Sequence, residues 1–138
     1  MARLWAAAAL LLPVTPAFAA TPPEGVWLGP HNNVAVRTGA CGDRLCGWVV
    51  WADGEAQADA RDGGVARLIG TELLENYRPD GKGQWRGIVF VPDMGRRFSS
   101  QISQLSPGQM RIKGCILGGL FCKSQIWTRI GGVPGSGS

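Results

Sequence analysis

The sequence has little charge and few of the residues that usually carry catalysis. Only 17% of its 138 residues are charged, and it has one histidine. Low charge together with six tryptophans excludes a disordered chain, and glycine does not recur at every third position as in collagen. The apolar run Leu4–Leu12 is shorter than the roughly 18 residues that cross a bilayer as a helix. We therefore expect a globular protein that does not span a membrane.

Glycine and proline are plentiful, with 21 and 9 residues, and they separate short apolar runs. These runs predict strands bounded by turn-forming residues. The predicted strands are Gly25–Gly29, Asn33–Thr38, Cys46–Ala52, Thr71–Tyr77, Gln84–Pro92, Arg96–Leu105, Gln109–Cys115 and Lys123–Ile130. Alternation supports them, because Met110 and Ile112 point one way while Arg111 and Lys113 point the other. The pattern indicates an all-β domain, either a closed antiparallel up-and-down barrel or a sandwich.

One internal segment lacks strand character. Asp53–Gly64 is rich in small and acidic residues, and we interpret it as a long loop. A helical turn is predicted near Val65–Ile69, just before the next strand.

The first residues have the pattern of an export signal. Arg3 is followed by the apolar run, and Ala17-Phe18-Ala19 matches the small-x-small cleavage motif. We expect residues 1–19 to be a cleaved signal peptide, residues 20–130 to form the domain, and the Gly- and Ser-rich residues 131–138 to be a disordered tail. The predicted location is periplasmic or secreted.

Four cysteines follow the predicted signal peptide: Cys41, Cys46, Cys115 and Cys122. An even number in a small exported domain indicates disulfides, and three pairings are possible. The short spacings favour Cys41–Cys46 and Cys115–Cys122, each across a Gly-containing turn. The rival interpretation is a four-thiolate zinc site, which is disfavoured because it needs closer C-x2-C-like pairs.

Candidate catalytic chemistry is sparse. His31 stands beside Pro30 in a predicted turn, where a lone histidine is usually only solvated. The acids of Asp53–Asp62 do not follow the alternating spacing of a calcium loop, and no serine lies in a Gly-x-Ser-x-Gly elbow. We therefore expect no enzyme activity, no metal and no cofactor.

Basic residues are dispersed. Arg96-Arg97, Arg111, Lys113 and Arg129 are predicted to share an outer wall with Trp85. The formal charge of +4 is modest, and export argues against a nucleic-acid partner. A weak attraction to an anionic envelope surface remains open.

Particular motifs then resemble a known family. Gly25-Val26-Trp27 and Trp127-Thr128-Arg129 resemble the early Gly-x-Trp and late Arg of lipocalin-like (calycin) barrels. This resemblance implies that Trp27 and Arg129 close the barrel by stacking indole against guanidinium. Four further segments resemble the bacterial domain of unknown function 2147 family: Cys41–Gly47, Gln84–Gly87, Pro92–Phe98 and Gly114–Arg129.

The resemblance extends over Gly25–Arg129 and implies an exported lipocalin-like β-barrel of about eight strands. One segment departs from the family, because its usual Asp…Asn-Pro-Asp stretch is replaced here by Ala58–Gly64.

Large apolar residues provide the functional hypothesis. Trp48–Trp51 and Ile88–Val91 are apolar on both faces, so an inward set either fills the barrel or lines a cavity. Alternation predicts the inward set Val49, Trp51, Ile88, Phe90, Ile102, Met110 and Ile112. We expect a non-enzymatic barrel that binds a small hydrophobic ligand in the cell envelope. The alternative is a side-chain-filled structural or interaction module that docks on another envelope protein.

Overall fold

A computed structural model describes residues 23–135. The predicted signal peptide lies outside the described residues, as do residues 136–138 of the predicted tail. The strands are β1 Gly25–Leu28, β2 Val34–Cys41, β3 Arg44–Ala52, β4 Glu72–Pro79, β5 Gln84–Val91, β6 Arg96–Ser106, β7 Gln109–Ile116 and β8 Phe121–Ile130. One α-helix, α1 Gly54–Asp62, follows β3, and a 3-10 turn, Leu117–Gly119, joins β7 to β8.

The strands form a closed barrel in which every strand pairs antiparallel with its neighbours in the chain. Closure comes from β1 and β8, where Trp27 lies opposite Arg129 and Val26 opposite Ile130. The prediction of an up-and-down eight-stranded barrel is confirmed, and the sandwich is excluded. Every predicted strand is present, with bounds displaced by a few residues.

The inner face follows the period-two alternation of the strands. Trp85, Ile102 and Ile112 lie side by side on β5, β6 and β7 and belong to one buried cluster. Trp27, Trp85 and Met110 are each 1% exposed or less. Burial of these large apolar side chains stabilises the closed barrel.

Helix α1 corrects the expectation of a loop. Asp53 caps its N-terminus, since the carboxylate accepts a hydrogen bond from the Ala56 N–H at 2.8 Å. Ala56 and Ala60, one helical turn apart, are buried against the core cluster. The helical turn predicted at Val65–Ile69 is wrong, because that segment is irregular and the helix lies before it.

The barrel has two unlike ends. The connections before β3, β5 and β7 lie at one end, which we call the closed end. The connections before β2, β4, β6 and β8 lie at the other, which we call the mouth. Both predicted disulfides are present, with Cys41–Cys46 in the β2–β3 hairpin at the closed end and Cys115–Cys122 in the β7–β8 hairpin at the mouth.

Candidate functional site

The closed end is sealed by Trp27 and the groups around it. The Trp27 indole N–H donates to the Pro23 carbonyl and to Thr38 Oγ1, each at 3.1 Å. The Arg129 guanidinium carbon lies 4.4 Å from the centroid of the indole ring, which is a cation–π contact. Arg129 also donates to the carbonyls of Pro107, at 2.8 Å, and Glu24. Arg129 thus ties the N-terminal approach to β1 and the β6–β7 turn to β8.

The structure explains why a glycine, Gly25, stands two positions before Trp27. Its φ is +144°, which L side chains rarely adopt, and a Cβ atom there would lie 2.2 Å from Arg129 Nη1. A side chain at Gly25 would therefore displace the guanidinium from the indole.

Toward the mouth the barrel is hollow. A cavity of about 620 Å³ opens there, within the range of small-molecule sites. Its wall is mostly apolar and includes Val34, Leu68, Leu73, Val89, Ile112 and Trp127. Polar groups are fewer: His31, Asn33, Asp59, Asp93, Lys123 and Gln125.

The inner face of β8 contributes two of these polar groups. From the mouth downward it presents Phe121, Lys123, Gln125 and Trp127, all of which line the cavity. Exposure falls from 59% at Phe121 to 6% at Trp127, so the row passes from solvent into the core. Lys123 lies opposite Gly114 on β7, where no side chain competes for space.

Gln125 has a fixed orientation. The Trp127 indole N–H, which can only donate, lies 3.3 Å from Gln125 Oε1. This contact turns the carboxamide so that its NH₂ group is free to donate elsewhere. Gly29 leaves room for the indole, because a Cβ there would lie 3.3 Å from the Trp127 ring.

The predicted inward residues divide into three groups. Ile112 and Phe90 border the cavity. Val49, Ile102 and Met110 point inward but belong to the filled core, where each is 1% exposed or less. Trp51 and Ile88 border neither the cavity nor the filled core.

The predicted inward direction is wrong on β5. Trp85 and Val89 belong to or pack on the core, so alternation turns Ile88 to the outer face. Alternation places the Phe90 ring on that side as well, although Phe90 still borders the cavity beside Val89 and Val91. Phe90 is nevertheless only 9% exposed, and the Arg97 guanidinium lies over its ring at 4.7 Å from the centroid. The placement of Trp85 on an outer wall is wrong for the same reason, and Arg129 likewise lies over the inward-facing Trp27.

The prediction for Trp51 is wrong because of a bulge. Val36 pairs with Val49 but its neighbour Ala35 pairs with Trp51, which leaves Val50 as an extra residue in β3. Val49 and Trp51 therefore point to opposite faces, although they are two positions apart.

His31 is exposed at the cavity rim, in the β1–β2 connection. Among the described residues no three His, Cys, Asp or Glu side chains converge on a metal-sized site. In the filled half of the barrel, the hydroxyls of Tyr77 and Ser100 are buried near each other, and within residues 23–135 neither makes a hydrogen bond of regular geometry. Burial raises the pKa of the Tyr77 phenol.

Sequence reasoning missed Lys123 and Gln125. Counting back from Trp127 in steps of two would have found them, because β8 has no bulge against β7. Their polarity concealed them, since only apolar residues were sought for the interior.

Comparison with known families and structures agrees with this architecture. Residues 25–129 match the family model described as uncharacterized proteins conserved in bacteria, DUF2147, and the chain belongs to that family. The solved structure of protein HP1028 from Helicobacter pylori, described as belonging to the lipocalin family, superposes with a TM-score of 0.61. Sequence identity is 13%, with 80% of this chain and 84% of that one covered. No curated protein sequence matches the chain.

Two further observations concern location. The paired disulfides indicate an oxidising, extracytoplasmic compartment. Across residues 23–135, no helix has the length and apolar character needed to span a bilayer.

Proposed function

We propose that this protein is an exported, non-enzymatic barrel that binds a small hydrophobic molecule in the cell envelope. The observation that carries the proposal is the cavity of about 620 Å³ at the mouth, with its mostly apolar wall. An interior packed throughout by side chains would have left no such volume. The lipocalin-like fold supports ligand binding in general. The signal-like residues 1–19 and the disulfides support export to the periplasm or beyond.

The first test asks whether the protein carries a ligand when isolated. Native mass spectrometry of protein purified from the periplasm, with nothing added, should show a species heavier than the chain by the mass of a small molecule. A bare mass in every preparation, together with failure of the second test, would refute the proposal.

The second test fills the cavity. Gly114 lines it, and a Cβ there meets only ordinary contacts, the nearest being Val89 at 3.5 Å. Gly114→Leu should therefore fold and should weaken binding of N-phenyl-naphthylamine, a hydrophobic fluorescent dye, by about tenfold or more. The matched control is Gly39→Leu on β2, where a Cβ meets nothing within 4 Å. Equal dye affinity in both variants would contradict binding in the cavity.

A second candidate function is an interaction module, favoured by the tip of the β7–β8 hairpin. Leu117 and Leu120 are 71% and 72% exposed there, beside the exposed Phe121. Large apolar side chains left in water at one place often mark a docking surface. If docking is the function, Leu117→Ser with Leu120→Ser should abolish crosslinking to one envelope protein in intact cells while leaving dye binding unchanged.

A further inference from the structure

Two of the polar groups that line the cavity, Lys123 and Gln125, present hydrogen-bond donors to it. The Lys123 ammonium has three donors and no acceptor. The Gln125 carboxamide has its oxygen engaged by Trp127, which leaves its NH₂ group as a donor. Both side chains line the cavity on the same face of β8, two positions apart.

Lys123 is not neutralised by the protein. In the part of the chain that the structure describes, the ion pairs are Arg44–Asp43, Arg86–Asp80 and Arg97–Glu75, and none involves Lys123. Two carboxylates, Asp59 and Asp93, also border the cavity, but they belong to α1 and the β5–β6 turn. Those two elements are in close contact at Gly63. Helix α1 follows β3, which is three strands from β8 around the barrel, and the β5–β6 turn ends at β6, which is two strands from it.

The wall becomes apolar below these donors. Trp127 and Ile112 continue the inner faces of β8 and β7 toward the filled core, and both are 6% exposed. Lys123 and Trp127 are four residues apart, which is about 13 Å along a strand. The site therefore offers hydrogen-bond donors and a positive charge near the mouth and an apolar pocket beneath.

We infer that the cavity binds a single-chain amphiphile with a terminal anionic group, its head on Lys123 and Gln125 and its alkyl chain against Ile112 and Trp127. This inference rests on the proposed function, which it deepens by naming the class of ligand. A carboxylate accepts bonds from both donors at once, and charge-assisted bonds of this kind are the stronger ones. An alcohol of the same length has no charge to offer, and an alkylammonium meets repulsion from Lys123.

The test compares four probes with the same twelve-carbon chain: dodecanoate, dodecyl phosphate, dodecanol and dodecyltrimethylammonium. Dissociation constants come from displacement of N-phenyl-naphthylamine, below the micelle concentration of each probe. Dodecanoate should bind about tenfold tighter than dodecanol, and dodecyltrimethylammonium weakest. Whether dodecyl phosphate or dodecanoate binds tighter distinguishes a phosphate head, as in a lysophospholipid, from a free fatty acid.

Two variants assign the effect to the named residues. Lys123→Met should weaken dodecanoate about tenfold and leave dodecanol unchanged. Gln125→Glu keeps an acceptor for the Trp127 N–H but replaces the free donors with a negative charge, so dodecanoate should weaken more than dodecanol. The matched control is Lys113→Met, which removes the same charge from the outer face of β7, between the inward Ile112 and Gly114, and should change neither.

The outcomes separate this inference from the proposed function. Equal affinity for dodecanoate and dodecanol, or tighter binding of the alkylammonium, overturns the anionic head group while leaving a hydrophobic site in place. Equal losses in Lys123→Met and Lys113→Met also overturn it. If no probe binds and Gly114→Leu matches Gly39→Leu, the proposed function itself fails.

Discussion

Two inward tryptophans, Trp27 in the closed end and Trp127 at the base of the cavity, show how the same residue serves different purposes. The Trp27 indole N–H has two acceptors, and Arg129 covers its ring, so the closed end is filled. The Trp127 indole N–H meets a single acceptor, Gln125, and its ring borders open volume. The difference lies in the neighbours. The Trp27 N–H is paired with the Pro23 carbonyl and Thr38 Oγ1, whereas beside Trp127 the donors of Gln125 and Lys123 face the cavity. The comparison predicts that stability concentrates at the closed end, away from the binding site that we propose at the mouth.

The largest expected contrast is between two aromatic truncations. Trp27→Ala should lower the free energy of unfolding by about 3–5 kcal/mol, because it empties a fully buried site. Phe121→Ala, at a side chain that is 59% exposed, should change it by less than about 0.5 kcal/mol. Urea unfolding followed by tryptophan fluorescence measures both. Similar losses would show that the mouth is as important to stability as the closed end.

A second contrast uses glycines. Gly25→Ala should cost about 1–3 kcal/mol, because the backbone is left-handed there and the new Cβ would contact Arg129. Gly39→Ala, in open space, should be neutral or slightly stabilising. Thermal unfolding compares the two variants, and a tolerated Gly25→Ala would mean that the guanidinium can leave the indole at little cost.

The two disulfides provide a third contrast. Each closes a short loop, so replacing either pair by alanines should cost about 2 kcal/mol in the chain-entropy model. Removing Cys115–Cys122 should also weaken dye binding, because Cys122 borders the cavity beside Lys123. Removing Cys41–Cys46 should leave dye binding unchanged. If both removals alter binding alike, the two ends are not independent.

The smallest effect concerns pH and the filled half of the barrel. Burial raises the pKa of Tyr77 above its usual value near 10, so the unfolded chain ionises before the folded one. The contribution of Tyr77 to stability is fully present below about pH 10 and declines as the pH rises further. Tyr77→Phe should remove that part of the decline. Tyr77 is the only tyrosine, so tyrosinate absorbance reports its titration directly; ionisation near pH 10 in the folded protein would contradict the burial.

The sequence predicted the strands well and the faces of some strands poorly, for a physical reason. On β7, Met110 and Ile112 alternate with Arg111 and Lys113, and the inner face is evident. On β5, Ile88, Val89, Phe90 and Val91 are all apolar, so alternation carries no information. What decides there is packing against other strands: Val89 packs on the core, and Arg97, from the neighbouring strand, lies over Phe90.

The other differences between prediction and structure also depend on strand register and tertiary packing. The bulge at Val50 turns Trp51 to the opposite face of the sheet, and nothing in the residue types of β3 indicates the bulge. Helix α1 buries only Ala56 and Ala60, so its apolar face is too small to stand out, although Asp53 is a typical N-cap. To place Lys123 and Gln125 in the cavity, one has to know that β8 runs without a bulge to Trp127.

The pairing of β1 with β8 places the two limits of the barrel side by side, since Val26 lies opposite Ile130. Every strand therefore has two paired neighbours, and no hairpin lies at an open edge of the sheet. A short linker from Ile130 back to Pro23 would keep the Pro23 and Glu24 carbonyls in place, and it would allow the chain to be cut at the exposed Gly81, in the β4–β5 turn, and restarted there. Such a circular permutant would keep every strand neighbour and would move the chain ends without disturbing the mouth.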